Sequence, residues 1–193
     1  MMNVSFPLSR SQARRLFLAV VFPVHFWAVL LFILNAPTPQ HANAWGEALA
    51  LAAYILLFAF VESAIIFVAL LLLAWLLPRR WMPEQRLGAL LAILALLVVW
   101  ALVSQLATLL VIPQTHFFVF IGVNLANTLL YRQIAIGLMV IFVLLTVVAA
   151  LHLGSSPRFA KRLGPLLERI ELLSVLYLLL DLAAFVFVVS RNV

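Results

Sequence analysis

Two carboxylic acids sit inside long apolar runs of this 193-residue chain: Glu62 within residues 48–77 and Asp181 within 166–190. A charge removed from water is costly unless it is paired, so these two positions demand an explanation. Other polar groups fall near them. Ser174, Tyr177 and Asp181 recur at i, i+3 and i+7, a spacing that puts them on one stripe of a helix. Ser104 and Thr108 share a face of the run 87–112, with Gln105 beside them, and His25 follows Pro23 in the run 16–35. The expected intramembrane polar cluster is therefore Glu62, Asp181, Gln105, Ser104, Tyr177 and His25.

No lysine or arginine lies deep in these runs to neutralise the acids. Loss of water disfavours the charged form of a carboxyl group. Glu62 and Asp181 are therefore expected to be neutral at pH 7 and to donate hydrogen bonds to Gln105, Ser104, Tyr177 or His25. Three uses fit such a cluster. It acts as interhelical glue, worth about 0.6 kcal/mol for an average contact; as a proton or solute pathway; or as an assembly contact with another subunit. His25 taken alone reads as a packing residue, and His41, His116 and His152 show no ligand spacing.

Reactive constellations are not legible elsewhere. The sequence carries no Gly-rich phosphate loop and no HExxH helix. Gly154-Ser155-Ser156 lacks the flanks of a nucleophile elbow and reads as a helix end. Asn3-Val4-Ser5 matches a glycosylation acceptor but precedes a basic segment. Cysteine is absent, which excludes disulfides and thiolate ligands. No enzyme activity, cofactor or metal is expected.

The elements that hold these residues are apolar: 67% of the chain is hydrophobic and 9% charged, with a mean hydropathy of +1.25. A soluble fold of this size has too much surface to hide that apolar content. A hydrocarbon core about 30 Å thick takes roughly 20 apolar residues as a helix. Residues 16–35, 48–77, 87–112, 133–153 and 166–190 each meet that length. The expected fold is a single all-α bundle of five transmembrane helices over residues 1–193. Segment 117–130 is apolar but short, and the polar residues Asn124, Asn127, Thr128 and Tyr131 gather near one face. A helix lying in the outer interface is expected there, since a sixth span would bury Arg132.

Basic residues orient the bundle. Arg10, Arg14, Arg15, Arg79, Arg80, Arg86, Arg158, Lys161, Arg162 and Arg169 fall on one side, and only Arg132 and Arg191 on the other. The N-terminus is expected inside and the C-terminus outside, in the cell membrane. This distribution also accounts for the net charge of +6 without a nucleic-acid partner. Trp75 and Trp81 flank the inner boundary and Trp45 the outer one. Ala42-Asn43-Ala44 resembles a signal-peptidase site, but the apolar run before it is longer than a signal peptide's, so an uncleaved anchor is expected.

Glu62 lies 15 residues before Leu77 and Asp181 15 residues after Leu166, which places both about 22 Å from the inner ends and at equal depth. In outline alone, five spans with this orientation are similar to the membrane anchor of sulfatase-like lipid-headgroup transferases. No specific residue carries the likeness, and no catalytic role follows from it. The expected function is a non-catalytic anchor, scaffold or assembly subunit, held in the lipid bilayer with other membrane-protein subunits. The alternative is a small transporter or proton-conducting subunit that uses Glu62 and Asp181.

Overall fold

The computed structural model describes residues 8–35, 44–78, 80–111, 128–154 and 156–192. All regular structure among them is helical: α1 (Arg10–Asn35), α2 (Ala44–Leu76), α3 (Pro83–Val111), α4 (Thr128–Gly154) and α5 (Pro157–Asn192). Each helix begins before the apolar run that marks it in the sequence. Hydropathy registers the part of a helix that is in hydrocarbon, whereas the helix itself continues until something satisfies its free N–H groups. For α1 this is a capping box. Gln12 N donates to Ser9 Oγ at 3.3 Å, and Ser9 N donates to Gln12 Oε1 at 2.9 Å. The helix therefore starts at Arg10 rather than Leu16.

At α3, Pro83 takes the first helical position, where its missing N–H costs nothing. Gln85 Oε1 accepts from Met82 N at 3.1 Å. Pro157 opens α5 in the same way, nine residues ahead of Leu166, and the helix continues through Pro165. Thr128, Leu129 and Leu130, read from the sequence as the end of an interfacial segment, form the first turn of α4. Residues 117–127 of that segment lie outside the described residues, as do Ala42 and Asn43.

Among the described residues, four helices are long and apolar enough to cross a membrane, α1, α2, α3 and α5, and α4 holds a shorter apolar stretch, Val140–Leu153. The exposed faces are those of a protein solvated by lipid. Phe58, Ile65 and Leu72 on α2, and Leu172, Leu179, Leu182 and Val186 on α5, are all open to the surroundings. In water they would form apolar patches far beyond what a soluble monomer tolerates.

Packing divides the helices into two groups. α1, α2 and α5 pack on one another, and α3 packs chiefly on α4. The two groups join where Leu87 to Leu94 are buried without interruption around the whole circumference of α3. Gly88 and Ala92 present small surfaces four residues apart, which lets neighbours approach on that side. Leu16 and Val20 of α1, Leu70 and Ala74 of α2, Ala150 of α4 and Leu167 of α5 complete this core. All of these lie toward the end of the bundle that carries the loop 77–82. Replacing the fully buried Leu90 by Ala is expected to lower stability by about 2–3 kcal/mol, whereas exposed Leu97→Ala changes it by less than about 0.5 kcal/mol. Denaturation in mixed micelles measures both.

Candidate functional site

His25 and Asp181 meet inside the α1–α2–α5 group. His25 Nε2 lies 3.1 Å from Asp181 Oδ1 and 3.0 Å from Oδ2. His25 is fully buried and Asp181 only 6% exposed. The other ring nitrogen, Nδ1, is 2.9 Å from the carbonyl oxygen of Val21, one turn earlier. A carbonyl only accepts, so Nδ1 carries a hydrogen and donates it. Nε2 then faces two carboxyl oxygens, and one further proton must lie between them. If it rests on Nε2, the pair is imidazolium and carboxylate; if it rests on oxygen, both partners are neutral. Either way the pair holds two protons and no net charge, which is the condition for burial at modest cost.

The pair is one rung of a polar column. Ser174 Oγ lies 2.6 Å from the carbonyl oxygen of Leu18 and 2.8 Å from that of Ile170, and it donates its single hydrogen to one of them at a time. Toward the helix starts, Arg15 Nε approaches Glu171 Oε1 at 3.4 Å without the geometry of a hydrogen bond. That pair is half exposed on the arginine side and contributes little, of order 0–1 kcal/mol. Tyr177 packs its ring 5.4 Å from the His25 ring and 6.3 Å from Phe22.

These contacts share an offset. Leu18 and Ser174 are 156 positions apart, as are His25 and Asp181, and Arg15 and Glu171 repeat the interval. A constant difference, rather than a constant sum, means that α1 and α5 run in the same direction and in register. In this register Leu16 lies level with Leu172, and Asp181 is nine residues beyond that level, about 14 Å along the helix.

Among the residues expected to cluster, the structure brings together Asp181, His25 and Tyr177. His25, expected as a packing residue when taken alone and as one of the possible partners of the acids, is hydrogen-bonded to Asp181. A signal for this was present, since Arg15 and His25 have the same ten-residue spacing as Glu171 and Asp181. Glu62 stands apart. It is exposed and lines a cleft between α1 and α2 whose walls do not include Asp181. Ser104 and Gln105 belong to α3, and their side chains lie outside the described residues.

The paired small residues of α2 serve packing. Ala59 and Ser63 are buried, and Ser63 Oγ donates to the Ala59 carbonyl at 2.7 Å. No family model matches the chain, and comparison with curated proteins and with solved structures gives no match.

Removing one member of the pair leaves the other buried and unsatisfied. His25→Ala and Asp181→Ala are each expected to destabilise by about 2–4 kcal/mol, with the double variant less harmful than their sum by about 1–3 kcal/mol. Asp181→Asn keeps a donor for Nε2 and recovers part of the loss. A double-mutant cycle in mixed micelles reads the coupling, and simple additivity is the result that contradicts it.

Proposed function

We propose that the chain is a five-span membrane protein with its N-terminus inside, serving as a non-catalytic scaffold or assembly subunit of a membrane complex. The observation that carries the topology is the parallel register of α1 and α5. Two helices that cross in the same direction need an odd number of crossings between them. α2 and α3 supply two, so α4 supplies the third, and its 27 residues reach about 40 Å. With five crossings, the ten-to-two division of basic residues places the loop 77–82 and the N-terminus inside.

The scaffold reading rests on how the acid–base pair is held. A conducting carboxyl needs hydrated access, whereas His25 and Asp181 are enclosed by their own chain and join two helices far apart in sequence. Their work is to fix the arrangement of α1 against α5. The outer faces of α2 and α5 are left open to lipid and partner helices. A second reading, a small transporter, is favoured by one observation: Glu62 faces an open cleft. In that reading Glu62 carries the solute and Asp181 is structural.

Two measurements test the proposal. Alkaline phosphatase fused after Val193 is expected to be active, with a fluorescent reporter dark there. The pattern reverses for fusions after Arg80, and a bright reporter after Val193 refutes the topology. Affinity purification in mild detergent is expected to retain a membrane partner in fixed ratio, while a stable solitary chain contradicts the scaffold role.

A further inference from the structure

α1 and α2 form an antiparallel pair that closes at one end, where Phe17 and Phe67 meet edge to face at 5.3 Å. At the other end the helices part and leave a cleft of about 670 Å³. Its walls come from single faces of each helix: Val24, Trp27, Ala28, Leu31 and Phe32 on α1, with Tyr54, Phe58 and Glu62 among those on α2. The volume is that of a small-molecule site, which typically runs about 300–1,000 Å³.

One group in this cleft is incomplete. Glu62 lies near the middle of the span Gly46–Leu76, is exposed, and is hydrogen-bonded to no described residue. An acid at that depth is costly without a partner. The lining around it includes the aromatic side chains of Trp27, Phe32, Tyr54 and Phe58. A carboxyl group set among aromatic faces is complementary to a cation with an apolar body, because the rings' electron-rich faces and the carboxylate attract the same charge. A plain acyl chain would fill the volume and leave the acid unpaired, and an anion would be repelled.

We propose that the α1–α2 cleft binds amphiphilic monocations, that is, ammonium or phosphonium compounds with an apolar body, with Glu62 as counter-ion and Trp27, Tyr54 and Phe58 as the cation-facing rings. The inference rests on the cleft alone and does not require the scaffold reading. The ligand enters from the open end and leaves by the same route.

Equilibrium dialysis of the full chain in maltoside detergent, with labelled tetraphenylphosphonium as probe, tests this. Saturable binding is expected, weakened at least about tenfold in Glu62→Gln and several-fold in Phe58→Ala. The neutral analogue triphenylphosphine oxide is expected not to compete. Glu62 is exposed, so Glu62→Gln should elute unchanged in gel filtration, which separates lost binding from lost fold. Equal affinity in Glu62→Gln overturns the proposal, as does equal competition by the neutral analogue. So does crosslinking of Phe58→Cys to a second membrane protein in place of the probe, because a helix then fills the cleft.

Discussion

A single proton shared between an imidazole and a carboxyl group, out of reach of water, is the constraint on which the arrangement of this bundle turns. Apolar packing alone sets little preference among helices coated in leucine, because lipid tails are as good a neighbour as another leucine. His25 and Asp181 remove that freedom. The proton must have both acceptors within reach, and the Nδ1–H must keep its carbonyl one turn back. Ser174 on the Leu18 carbonyl adds a second contact at the same offset, so sliding α5 along α1 by a turn would part His25 from Asp181 and leave Ser174 only the Ile170 carbonyl of its own helix.

The rest of the bundle is asymmetric about that column. At the end near the loop 77–82, α3 is buried on every side and five helices contribute to one core. Toward the opposite end α1 and α2 separate, and large apolar side chains on α2, α4 and α5 face outward. Small residues account for the closed end: Gly88, Ala89 and Ala92 on α3 with Ala74 on α2 and Ala150 on α4 admit close approach. At the open end the bulky residues Trp27 and Phe32 of α1 and Tyr54 and Phe58 of α2 line the cleft.

Much of this was legible in the residues, and the division follows physical lines. Helix number and position come from hydropathy, because lipid rewards apolar length directly. Where the helices begin does not, because the capping groups Ser9, Gln12, Pro83 and Pro157 act outside the apolar runs. The stripe Ser174–Tyr177–Asp181 was readable from spacing within one helix. Which of the candidate groups Gln105, Ser104, Tyr177 and His25 the acid meets is not readable from spacing within one helix, because His25 lies 156 positions away and that periodicity does not say which helices touch. Glu62 and Asp181 look alike in sequence, each an acid in an apolar run. Only the packing distinguishes them, one enclosed against α1 and the other opening into a cleft.

The in-register pairing of the first and last helices has a consequence for how the protein is made. A ribosome adding about 5–20 residues per second needs roughly ten seconds or more to travel from His25 to Asp181. During that interval α1 is already in the bilayer with its imidazole and the Leu18 carbonyl lacking their eventual companions. The pairing is therefore incomplete until α5 arrives. A chain stopped short of α5 would display an unsatisfied polar ring to lipid, a chemical mark by which unfinished copies differ from finished ones.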